Sequence, residues 1–183
     1  FRRLLFHLPC EHRGGGLLCV QDPGGGIREF RFPSVGGPGG RTIAAYFDGR
    51  SAVIPLFAVT AGPEFSRAAA ELRAGGEQEE YFRLHGLAAA LAEAAAEALH
   101  ARIGRELVAA GAGTAGRRYS FGFPGCPGLE FQREILDLLG AEQIGLGVTE
   151  GHQLTPEFSV TAFVVPRADA RYVPGGAKPA PGP

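Results

Sequence analysis

The sequence contains no methionine and no tryptophan, and Lys178 is its single lysine. Phe1 is therefore not a translation start, and the chain reads as a processed piece or fragment of something longer. Arginine supplies the other basic residues and the formal net charge is -1, so no excess of either sign points to nucleic acid or an anionic membrane surface. The abundance of Arg, Ala and Gly reads as coding bias. Cysteines are few: Cys10, Cys19 and Cys126 lie far apart, with no C-x-x-C pair. That argues against a disulfide framework or structural zinc and fits a reducing cytoplasm. Long apolar runs are missing as well. The opening Phe1–Phe6 stretch ends at His7, too short for a membrane span or a secretion signal.

What is present fits one domain: 183 residues are enough to bury a real core. Two short apolar runs, Leu17–Val20 and Ile27–Phe32, flank Asp22-Pro23-Gly24-Gly25-Gly26 and predict a hairpin. None of the glycine clusters is followed by Gly-Lys-Ser/Thr, which excludes a P-loop. Residues 52–60 form a continuous apolar run that predicts a buried strand, with Pro55 placing it at an edge or a bulge. From Ser66 the period changes, predicting a short helix to Leu72. A long helix is predicted over Gln78–Val108, with Leu84, Leu87, Leu91, Ala95, Leu99, Ile103 and Leu107 on one face. An amphipathic helix is predicted over Leu129–Leu139, and strands over Ile144–Thr149 and Phe158–Val165. Strand signals at both ends of a helical block predict an α+β fold with a largely antiparallel sheet and disfavour a parallel βαβ series. Residues 174–183, rich in Pro, Gly and Ala, read as a disordered tail.

Two places carry candidate chemistry. The first is Arg117-Arg118-Tyr119-Ser120-Phe121-Gly122-Phe123-Pro124-Gly125-Cys126-Pro127-Gly128, a shaped loop. Its Gly and Pro residues set the backbone path, and Arg118 offers a planar fork suited to a carboxylate or phosphate. A ligand loop and a rigid structural turn both remain open from local chemistry alone. The second is the polar side of the long helix, where Glu93, Glu97 and His100 recur at helical spacing. Glu97-x-x-His100 has the spacing of a carboxylate-bridged di-iron site, yet the sequence shows no second such motif, and a solvated polar face is the competing reading. Cys126, between prolines, reads as a packing residue, and no nucleophile–base constellation is visible.

Placed in order, several blocks resemble the C-terminal activation domain of cobalamin-dependent methionine synthase. They are Phe57-Ala58-Val59-Thr60-Ala61-Gly62, Leu91-Ala92-Glu93-Ala94 with Glu97-Ala98-Leu99-His100, Arg118 through Pro127, and Leu138-Leu139 before Ile144-Gly145. Thr149-Glu150, Pro156, Ser159-Val160 and Asp169-Ala170-Arg171-Tyr172 complete the set, so the resemblance runs over residues 4–173. It implies a twisted sheet with a long central helix and flanking helices in one domain over residues 1–173, with part of the family's domain lying upstream of Phe1.

The resemblance also implies a binding module for S-adenosylmethionine, part of a cytoplasmic methyltransferase of methionine biosynthesis. Its partners would be a cobalamin-carrying domain or protein and a flavodoxin-like electron donor. In that family, cob(II)alamin is rescued by one electron and a methyl group, which is reductive methylation to methylcobalamin. Arg118 matches the arginine that pairs with the ligand's carboxylate, and Glu93 the glutamate near its amino and sulfonium end. Tyr172, with Val173 beside it, matches the part that meets the adenosine. Ser120, Phe121, Gly122 and Phe123 would line the site, and the loop holding His152 would face the corrin. No catalytic side chain and no metal ligand of the chain's own is implied. Phe123 stands where the family usually has tyrosine, and Gly128-Leu129 replaces an acidic residue. The competing class is a non-catalytic relative that docks on a corrinoid protein, and a weaker third is a methyl-transferring or regulatory protein of another corrinoid pathway.

Overall fold

A computed structural model describes residues 1–34, 41–48 and 52–172 of the chain. Val173 and the proline-rich tail expected to be disordered lie outside these residues. Strands β1 (Arg2–His12), β2 (Leu17–Gln21), β3 (Ile27–Arg31) and β4 (Val53–Thr60) precede helices α1 (Pro63–Ala74) and α2 (Gln78–Ala109). Strand β5 (Arg117–Ser120), helix α3 (Gln132–Leu139), the two-residue strands β6 (Gly147–Val148) and β7 (Leu154–Thr155), and β8 (Ser159–Val165) follow. The main sheet has the order β3-β2-β1-β4-β8-β5, and every ladder in it is antiparallel. The α+β expectation and the antiparallel sheet both hold.

The predicted hairpin is the β2–β3 pair, closed where Asp22 Oδ1 accepts the N–H groups of Gly24 and Gly26. The strand over residues 52–60 is present too, but it sits inside the sheet, not at an edge. Pro55 is tolerated because β4 pairs with β1 there, at His7, while its ladder to β8 begins only at Leu56. The missing N–H therefore falls where β4 is paired on one side only. Strand β1, eleven residues long, was not foreseen. It joins the two halves of the sheet, pairing with β4 through Arg2–Pro9 and with β2 through Cys10–His12.

Alternation along β4 and β8 divides the interior in two. Ile54, Leu56, Ala58, Phe163 and Val165 face α3 and the β2–β3 hairpin; Phe57, Val59, Ala162 and Val164 face α2. Both strands are buried on both faces, hence their nearly unbroken apolar sequence. Phe163 anchors the first core, with its ring centroid 5.6 Å from those of Phe32 and Tyr119 and 5.5 Å from that of Phe121.

Three helical expectations shift. Helix α1 begins at Pro63, not Ser66: Pro is preorganised for the first helical position, and Gly62, at φ 107, turns the chain into it. Ser66 does not cap a helix; its Oγ accepts the N–H of Glu157. Helix α2 has the predicted length, but its buried stripe is Ala88, Ala92, Ala96, Leu99 and Ile103 with Gly104, while Leu87 is exposed. The expected helix over Leu129–Leu139 starts with a 3-10 turn, and α3 proper begins at Gln132. The expected strand over Ile144–Thr149 is mostly absent. Gly145, at φ 76, closes a 3-10 turn, and only Gly147 and Val148 pair, against β7.

Candidate functional site

One edge of the main sheet is β5, paired with β8 alone among the described residues. Sequence alone placed Arg117–Ser120 in a loop, but these residues form this edge strand. A strand presents successive side chains to opposite faces. Arg118 therefore points to the α2 side, and Arg117 and Tyr119 point to the other.

On the α2 side, Arg118 donates from Nη2 to Oε1 of Glu93, and its Nε lies 4.0 Å from Oε2 of Glu97. His100 Nδ1 lies 3.4 Å from Oε1 of the same Glu97. Glu93, Glu97 and His100 sit at successive turns of α2, which lines them up along the strand. The Arg118 side chain is only 18% exposed, and its Nη1 is buried with no hydrogen-bond partner among the described residues. Thus the helix face that reads as solvated polar surface, or as half of a metal site, stays exposed at Glu93 and Glu97 and carries an ion pair from Glu93 to Arg118. The signal for this was in the sequence, since Glu97 and His100 follow Glu93 at four and seven residues, but their common partner is distant in sequence.

On the opposite face, Arg117 lies over the Tyr172 ring, 4.7 Å from its centroid, and Tyr172 packs 5.3 Å from Tyr119. The Tyr119 hydroxyl donates to the carbonyl of Arg171, which fastens the Asp169–Tyr172 segment beside the strand. Burial pushes the Tyr119 hydroxyl's pKa well above the ordinary tyrosine range. Arg118 and Tyr172 thus flank the same edge from two faces and do not share a closed pocket. The part played by Arg117 was missed, because a cation over an aromatic ring fifty-five residues away leaves no local pattern.

Among the remaining expected site residues, Ser120 is half-buried at the end of β5, and its carbonyl accepts the Phe123 N–H at 3.3 Å. Phe121 does not reach the edge: it is buried against Phe163 in the first core. Gly122 is required by the loop itself. Its φ is 80, and a Cβ there would lie 2.8 Å from Leu129 Cδ2. Phe123 stands exposed at the loop tip, next to Pro124. The loop is folded back by Gly122 N–H to Pro127 O and Cys126 N–H to Phe123 O. Cys126 is buried beneath it, its thiol pushed up to about 12 by burial, which suits packing and not attack. His152 is exposed at φ 61 in the β6–β7 loop. No helix among the described residues is long and apolar enough to cross a membrane.

Residues 42–177 match the family described as vitamin B12 dependent methionine synthase, activation domain. The chain belongs to this family. It is 34% identical over 187 residues to the methionine synthase of Mycobacterium tuberculosis, covering 93% of this chain and 14% of that protein. It is also 34% identical over 137 residues to the methionine synthase of Mycobacterium leprae, covering 66% of this chain and 11% of the relative. This activation domain thus spans about a seventh or less of the curated relatives it matches. A solved structure described as the MetH reactivation domain bound to AdoHcy superposes with a TM-score of 0.75 at 24% identity. That likeness covers 92% of this chain and 59% of the other, and it supports the fold.

Proposed function

We propose that this domain binds S-adenosylmethionine along the edge strand β5 and serves the reactivation of a cobalamin held by another module of a methionine synthase. The observation that carries the reading is Arg118. Its guanidinium is largely buried, its Nη1 lacks a partner among the described residues, and one flank is occupied by a carboxylate of α2. An arginine in that state is set to take a ligand carboxylate on its free side, while Glu93 offers a counter-charge to an ammonium or sulfonium group. S-adenosylmethionine carries all three groups on one short chain. AdoHcy, bound by the structurally similar domain, keeps the carboxylate and the ammonium.

When bound, S-adenosylmethionine supplies a methyl group, and the cobalamin of the neighbouring module accepts it together with one electron. This chain's residues then position and neutralise. Arg118 holds the carboxylate, Glu93 faces the cationic end, and Tyr172, steadied by Arg117, bounds the edge on the other face. The His152 loop is inferred to meet the corrin, and Val173, inferred to meet the adenosine, lies outside the described residues. The electron donor we infer is a flavodoxin-like protein. The setting we infer is the cytoplasm, where Cys10, Cys19 and Cys126 stay free thiols.

Calorimetric titration with S-adenosylmethionine tests this. Arg118→Ala is expected to weaken binding by about 2–4 kcal/mol, because the ligand carboxylate loses its charged partner. Unchanged affinity in a folded variant would overturn the assignment.

A further inference from the structure

The contacts around Arg118 are unequal. Glu93 makes a hydrogen bond to Nη2, whereas Glu97 stops 4.0 Å from Nε, beyond hydrogen-bond length. The Glu97 side chain is 64% exposed. Its other oxygen lies 3.4 Å from Nδ1 of His100, a close polar contact without hydrogen-bond geometry, and the His100 side chain is only 19% exposed. Among the described residues His100 Nε2 is buried without a hydrogen-bond partner, and Glu97 is the ring's polar contact in this network.

We propose that His100 is a positioning residue that holds Glu97 back from the guanidinium. With Glu97 restrained, Glu93 alone fixes the plane of Arg118, and the remaining donors stay free for an incoming carboxylate. Without the His100 ring, Glu97 closes on Nε. The fork is then shared between two carboxylates of α2, and a ligand must displace one of them. A contact that touches no ligand thereby sets how well a ligand carboxylate is received. The ligand part of this inference rests on the proposed function, whereas the restraint of Glu97 is a property of the ligand-free domain.

Two readouts separate these parts. In the ligand-free domain, the Arg118 Nε–H resonance in nitrogen-15 NMR reports whether a carboxylate has closed on Nε. His100→Ala is expected to slow its exchange with water and shift it, and neither change is expected when Glu97→Gln is combined with His100→Ala. His100→Asn, whose amide N–H lies near the position of Nδ1, is expected to restore the wild-type signal. In titrations with S-adenosylmethionine, His100→Ala is expected to weaken binding about 3- to 10-fold, a loss that vanishes in the Glu97→Gln background. An unchanged Nε–H signal in folded His100→Ala overturns the proposal. So does an affinity loss of equal size with and without Glu97, which would mark a packing effect. Should the wild-type domain bind no S-adenosylmethionine, the proposed function fails, and the Nε–H signal still decides the role of His100.

Discussion

Arg118 shows how far single residues can be read. Its type and its place in a Gly- and Pro-rich stretch marked it as a fork suited to a carboxylate or phosphate, and the structure puts it in a largely buried position where Nη1 has no hydrogen-bond partner among the described residues. Phe121 and Gly122 show the limit. Both stand in the same stretch, but strand parity turns Phe121 into the core, and Leu129 occupies the space beside Gly122. A residue-scale prediction concerns Glu134, which burial holds above the ordinary glutamate range while Arg28 partly offsets the shift. A carboxyl whose pKa is raised on folding favours the folded state while protonated, and that contribution is lost as pH rises through the raised value. Glu134→Gln is therefore expected to abolish one acid-range increment of stability loss, so that its melting temperature falls less than the wild type's between acid and neutral pH. A parallel decline in both proteins would show that Glu134 adds nothing.

Helix α2 is the element on which reading by periodicity was half right. Its length follows from helix-forming residues with acidic Glu79 and Glu80 in the first turn, where they favour the dipole. Its buried side does not follow, because alanine occurs on nearly every face and the leucines mark flanks. Leu99 and Ile103 are buried as expected, while Leu87 faces out and Ala88, Ala92 and Ala96 face in. The alanines let the helix axis lie close to the sheet and to α1, and that closeness brings Glu93 within reach of Arg118. Ala96 is fully buried among Phe57, Val59, Ala162 and Val164. Ala96→Leu is expected to cost about 1–3 kcal/mol by overpacking. It should also weaken ligand binding by moving Glu93 away from β5, to be checked by denaturant melts beside titration. Full stability in this variant would mean that the helix–sheet gap is wider than the packing shows.

At the scale of the whole molecule, β4 and β8 serve two cores at once, one under α3 and one under α2. Neither core survives without the strands they share, so the domain is expected to melt as one unit. Near-ultraviolet circular dichroism, from tyrosines including Tyr119 in the first core, should follow the same transition as the far-ultraviolet signal that α2 dominates. Separate transitions would show that the α2 layer detaches independently of the α3 layer.

Composition and local pattern by themselves determined the α+β class, the β2–β3 hairpin, the existence of α1, α2 and α3, and strands β4 and β8, because these depend on neighbouring residues. The ordered blocks from Phe57 to Tyr172 also carried the family and named Arg118 and Glu93. Only the tertiary structure decided that β1 bridges the sheet, that Arg117–Ser120 forms an edge strand, and that Arg118 and Tyr172 lie on its opposite faces. It alone placed Glu97 beside the arginine and His100 beside Glu97. Each of these depends on segments far apart in the chain, and on strand parity, which cannot be assigned until the pairing partners are known.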